Sequence, residues 1–133
     1  MDALVIERLL VRADRIVCDV SLATDAPRMT TPALAKRVCS AFPQLPHHAC
    51  VNEKGSTFGA VMDHTSLPHL LEHLVIDEQV RALPDSQATF VGTTEWTDVA
   101  AGRARIEVSF TDDLVALRAF RDATRFINTT VVI

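Results

Sequence analysis

The most chemically informative stretch of this sequence is His69-Leu70-Leu71-Glu72-His73. Two imidazoles four positions apart project from one side of a helix, close enough to reach a single metal ion. Glu72, three positions after His69, falls on that side too. Zinc accepts neutral imidazole nitrogen readily. A carboxylate beside it can take a proton from a water polarised by the ion and pass it to a leaving group. The ion's share is to draw the pKa of that water towards ~7.

All five histidines of the chain lie between positions 47 and 73, a clustering that random scatter would rarely produce. The spelling H-x-x-E-H is the inverted zinc-peptidase motif, the inverzincin pattern. It fixes only three positions, so a polar helix face whose histidines merely pack or hydrogen-bond is the competing reading. Catalytic zinc takes three protein ligands and keeps one position open. The third ligand is expected from outside the helix. Cys50 and His48 in the preceding loop lead, and His64, Glu95 and Glu107 are further candidates. Asp77 continues the 69–73 series, but it stands ~12 Å from residue 69 along a helix axis at 1.5 Å per residue. It is expected to orient His73 rather than to bind the ion.

Other chemistries fit less well. Ser66 lies near His64 and His69 but lacks a nucleophile elbow, and no G-x-S-x-G occurs. Cys50 with His48 would make a nucleophile pair only with a geometry that a two-residue separation rarely gives. There is no phosphate-binding loop and no dinucleotide fingerprint. Trp96 reads as a core or rim aromatic.

The motif needs elements to hold it. Thr65 or Ser66 caps a helix with Pro68 in its first turn, and Leu70, Leu71, Leu74, Val75 and Val80 supply its core contacts. Upstream, residues 3–11 are apolar and fit strand or helix. Residues 15–23 alternate as a strand. Thr31-Pro32 opens a helix through Leu34, Val38 and Ala41, which Pro43 and Pro46 end. Residues 43–57 read as a loop, and Phe58 to Met62 as a short strand. Downstream, strands are expected near 88–96 and 104–110. A helix opens at Thr111-Asp112-Asp113, and a β-like segment runs from Thr129 to Ile133. This mixture without a βαβ repeat predicts one α+β domain over residues 1–133: a mixed or antiparallel sheet against about three helices.

Composition bounds the rest. The 133 residues are 48% hydrophobic and 23% charged, with a formal net charge of -4. Such a chain is globular, and its mild acidity without a basic run argues against nucleic acid as partner. No apolar run reaches the ~18 residues of a membrane helix, and the N-terminus lacks a basic signal region, so a cytoplasmic location is expected. Three cysteines, Cys18, Cys39 and Cys50, form no C-x-x-C pair and suggest no disulfide framework. The first two sit in apolar contexts and read as buried thiols. The apolar N-terminal segment leaves homodimerisation open.

The stretch from Thr65 to Gln79 resembles the helix T-x-L-x-H-x-x-E-H-x-x-x-E-x-Q of the N-terminal domain of cyanophycin synthetases. Leu45-Pro46, His48-x-Cys50, Gly55, Phe58 and Gly92-x-Thr94 match further motifs of that domain in order, over roughly residues 43–127. In the family, this domain precedes ATP-dependent ligase domains that polymerise aspartate and arginine. It is associated with holding the polymer. In some members it looks like a cryptic metallopeptidase. The resemblance implies His69 and His73 as metal ligands and Glu72 as the base. Pro68 and Asp77 depart from the family's glycine and glutamate. No ligase motif accompanies them here, so a synthetase is not expected.

The expectation is a zinc-dependent hydrolase acting on a peptide or amide bond of a peptide or small substrate, with Glu72 as general base. The alternative is a non-catalytic peptide- or polymer-binding or accessory module of the same fold. S-ribosylhomocysteine lyase also uses H-x-x-E-H, with a cysteine completing its metal shell, and Cys50 keeps that chemistry open.

Overall fold

The computed structural model describes residues Met1–Ile133. The chain opens with an antiparallel pair, β1 (Leu4–Val11) and β2 (Arg15–Leu22). Helix α1 (Pro32–Ala41) follows, then a short 3-10 turn at Leu45–His47. A small hairpin, β3 (Ala49–Asn52) and β4 (Gly55–Thr57), leads through a second 3-10 turn, Phe58–Ala60, to helix α2 (Leu67–Ala82). A second pair, β5 (Gly92–Asp98) and β6 (Arg103–Ser109), precedes helix α3 (Asp113–Thr130). The main sheet has the order β1-β2-β6-β5 and is antiparallel throughout. The architecture is α+β, as the sequence predicts, with the antiparallel of the two sheet types.

Alternation decides which side of the sheet is covered. Ile16, Cys18, Val20 and Leu22 of β2 are buried, as are Ala104, Ile106 and Val108 of β6. These side chains share one face. Helix α2 covers that face over β5 and β6, and α3 over β1 and β2. The opposite face is polar: Arg15 pairs with Glu107 and Arg105 with Asp19. Such exposed pairs contribute at most ~1 kcal/mol each. Trp96 is half-buried at the rim of the core.

One open alternative is settled and three local expectations change. The ambiguous segment 3–11 is strand β1, because it pairs along its length with β2. The 43–57 loop contains the 3-10 turn and the β3–β4 hairpin. Phe58 to Met62 is not a strand. Consecutive Val61 and Met62 are both buried, which alternation forbids, and Gly59 lies so close to Pro46 that a Cβ would meet its carbonyl at 2.8 Å. Nor is Thr129 to Ile133 a strand. Helix α3 runs to Thr130 because Ile127 and Val131, four apart, continue its buried stripe, and Val131 N–H still bonds to the Ile127 carbonyl. Asn128 pins this end of the helix to β1 through two bonds to the Leu4 backbone.

Candidate metal centre

Helix α2 is the scaffold. The Ser66 hydroxyl caps it by accepting from His69 N–H, and Pro68 occupies a first-turn position that needs no donor. Ser66 rather than Thr65 is the cap. The helix is buried on most sides, so Glu72, His73, Asp77 and Gln79 go into the interior with it. Buried polar groups need partners, and the partners found define the site.

His69 places Nδ1 2.8 Å from Thr65 Oγ1 and Nε2 3.5 Å from Cys50 Sγ. A ring nitrogen bonded to a hydroxyl on one side leaves the other free for a ligand. Cys50, on β3, is carried over the start of α2 by the small hairpin. Donor atoms of Cys50, His69 and His73 all lie within 4.8 Å of one another. Tetrahedral zinc, with bonds of ~2.0–2.3 Å, holds its donors roughly 3.3–3.8 Å apart. The Cys50–His69 separation already falls there. One thiol and two imidazoles are a donor set suited to zinc.

The other expected residues divide clearly. His48 is not beside these donors. It lies behind His73, Nδ1 to Nδ1 at 3.2 Å, and its Nε2 is 3.0 Å from Asp77 Oδ1. Asp77, expected from sequence to orient His73, does not touch it. His48 stands between them, one ring nitrogen on the Asp77 carboxylate and the other on the His73 ring. His47 and His64 are exposed. Glu95 is exposed across the strand from Arg105, and Glu107 accepts from Arg15. None of these enters the cluster.

Glu72 is 5% exposed, and its Oε1 accepts from Thr94 Oγ1 at 2.7 Å. Its Oε2 is 3.5 Å from His73 Nε2. Burial raises the Glu72 pKa, against the Thr94 hydrogen bond and the nearby His48, which lower it. Burial also lowers the His69 pKa, opposed by Glu53. His73 is pushed down to about 3 by burial, with His69 and His48 adding to the effect. Both rings are thus neutral at neutral pH, the form in which imidazole binds metal, and the Glu72–His73 contact is not an ion pair.

Residues without chemistry of their own hold this arrangement. The Phe58 ring stacks on His73 at 4.1 Å between centroids, tilted by 19°, and meets His69 edge-on at 5.0 Å. Phe58 is fully buried. Thr94 and Gly92 lie at the start of β5, against Glu72. The sequence marks these residues as matching positions, but their contacts with α2 join distant segments and have no local signal.

The donors open onto a cleft of about 610 Å³ between the β3–β4 hairpin and residues 89–94. Glu53 and Glu72 line it, and no lysine or arginine does.

The family model of the cyanophycin synthase-like N-terminal domain matches residues 15–132. The chain belongs to this family. The match reaches further towards both ends than the motif run at 43–127. It takes in β2 and all of α3, so this cyanophycin synthase-like domain includes β2, β5 and β6 of the sheet as well as the α2 cluster. A search of curated proteins gives no significant match. No helix is long and apolar enough to cross a membrane.

Proposed function

We propose that this cyanophycin synthase-like domain is a zinc-dependent hydrolase of peptide or amide bonds. The observation that carries the reading is the convergence of Cys50, His69 and His73 donors within 4.8 Å beside the buried Glu72 carboxylate. Zinc bound there would act as a Lewis acid towards water and an amide carbonyl.

The chain's own residues then divide the work. Cys50, His69 and His73 hold the ion. Glu72 is the base: burial raises its proton affinity towards the range in which a carboxylate both takes and returns a proton. Thr94 aims it by holding Oε1, which leaves Oε2 on the His73 side. The cleft admits an extended chain. Strand β5 ends the sheet, and the Val91 carbonyl accepts from Ser109 N–H. The alternation of an antiparallel ladder then turns the backbone groups of Gly92 and Thr94 to the free side. An extended peptide adds to such an edge through main-chain hydrogen bonds.

A second reading rests on the same short Glu72–His73 distance. If Glu72 is a fourth ligand, the centre is closed and structural, and the domain is a binding or accessory module. One experiment separates the two. Protein purified without a metal-affinity tag is assayed for zinc and for cleavage of a mixed peptide library, as wild type, Glu72→Gln and His69→Ala/His73→Ala. The hydrolase reading expects near-stoichiometric zinc in the first two and cleavage in the first alone. Zinc lost from Glu72→Gln supports the closed centre. Wild type that neither carries nor takes up zinc overturns both metal readings.

A further inference from the structure

Behind His73, away from the cleft, four side chains stand in a line. Arg81 Nε is 3.0 Å from Asp77 Oδ2, and Asp77 Oδ1 is 3.0 Å from His48 Nε2. His48 Nδ1 is 3.2 Å from His73 Nδ1. His73 and Asp77 are 2% and 3% exposed, so water does not substitute for these partners.

A carboxylate only accepts, so His48 Nε2 carries the hydrogen that meets Asp77. In neutral imidazole one nitrogen donates and the other accepts. His48 Nδ1 is then the acceptor, and the hydrogen between the rings belongs to His73 Nδ1. That leaves His73 Nε2 without a hydrogen. This nitrogen lies 3.5 Å from Glu72 Oε2, longer than an N–H···O hydrogen bond, so that carboxylate does not claim the hydrogen.

We propose that Asp77 and His48 are positioning residues that set the tautomer of His73, so that its Nε2 lone pair faces the cleft. A metal-binding histidine commonly gives its second N–H directly to a carboxylate or carbonyl. Here a second histidine is inserted between the two, and the instruction passes through it. Arg81, on the next turn of α2, places a positive charge on the other Asp77 oxygen and holds the carboxylate in register. His48 thus acts on the site without touching the ion. The use of this tautomer for zinc rests on the ligand role proposed for His73, whereas the tautomer itself is a property of the metal-free chain.

The test is a long-range proton–nitrogen correlation spectrum of the ¹⁵N-labelled full chain, metal-free, at mildly alkaline pH. The expected spectrum shows His73 protonated at Nδ1 and bare at Nε2, and His48 the reverse. Asp77→Asn offers an amide donor to His48 Nε2 and is expected to reverse both rings, with zinc affinity falling roughly 10- to 100-fold. Wild-type His73 protonated at Nε2 overturns the proposal, and this readout needs no variant to fold. Asp77→Asn with unchanged tautomers and unchanged Zn²⁺ affinity overturns it as well. The expected tautomers in a wild type that takes up no Zn²⁺ would uphold the positioning and remove only the ligand role of His73. Zinc uptake with the opposite tautomer would do the converse.

Discussion

Gly92 lies directly against Glu72: a Cβ on Gly92 would stand 2.8 Å from Glu72 Cγ and 3.0 Å from its Cδ. It would also stand 3.0 Å from the Glu107 carbonyl, on the paired strand. The missing side chain is therefore the space that the Glu72 side chain fills. Gly92→Ala must push either the carboxylate or the strand aside. Overpacking of this kind costs about 1–3 kcal/mol. The expected outcome is a lower melting temperature and at least a tenfold loss of peptide cleavage with zinc retained. Cleavage at the wild-type rate would show that Glu72 need not occupy its observed place.

Thr94→Val keeps shape and removes the hydroxyl that donates to Glu72 Oε1. A buried carboxylate loses its bound donor, so its pKa, already raised by burial, rises further. The acid limb of the pH–rate profile for cleavage should move to higher pH. Zinc content should not change. An unmoved limb would separate the Thr94 contact from the base.

The metal-free protein should be sensitive to acid. His73, with its pKa held at about 3, and His69, also lowered, resist protonation when folded but accept protons near 6.5 when unfolded. The unfolded state therefore binds more protons below 6.5, and stability falls as pH drops from there towards about 3. Glu72, with its pKa raised, contributes in the opposite direction, since its neutral form is favoured in the fold. The two histidines outnumber it. Urea titrations of metal-free protein across this range should show a steep loss of stability, and His73→Leu should flatten it. A wild-type curve without slope would contradict neutral buried rings.

Phe58 packs on both proposed histidine ligands. Phe58→Ala should cost about 3–5 kcal/mol, the range for a buried phenylalanine. Phe58→Leu keeps most of the apolar volume and should fold. It frees the rings to rotate, and calorimetric titration should show weaker zinc binding than in wild type. Equal affinity would make Phe58 a core residue alone.

Cys50 should be the thiol that metal protects. Burial pushes Cys18 up to about 12 and raises Cys39 as well, so neither should react readily with a thiol reagent. Cys50 is half-buried at the cleft. One fast-reacting thiol is expected in metal-free protein, lost in Cys50→Ala and masked by stoichiometric Zn²⁺. Reactivity of Cys50 that ignores Zn²⁺ would move the third ligand elsewhere.

Much of this protein was legible in the order of its residues. A cap at Thr65 or Ser66, Pro68 in the first turn and the placement of His69, Glu72 and His73 on one side of α2 are local facts, set by helix geometry over a few residues. The same holds for β2 and β6, whose alternation announces one covered face. Local propensity misled at Thr129 to Ile133, where β-branched residues close a helix because the sheet beneath rewards a continued apolar stripe. Only the tertiary structure could separate Cys50 from His48. Both come from one short stretch before α2, yet the β3–β4 hairpin brings the thiol to His69, and the preceding turn sets the imidazole behind His73. It alone paired Asp77 with His48, and Gly92 and Thr94 with Glu72, across twenty or more residues of chain. Spacing along a helix fixes which side chains share a side. Which partners meet them there is decided by how separate segments pack, and that information resides in contacts rather than in any local run of sequence.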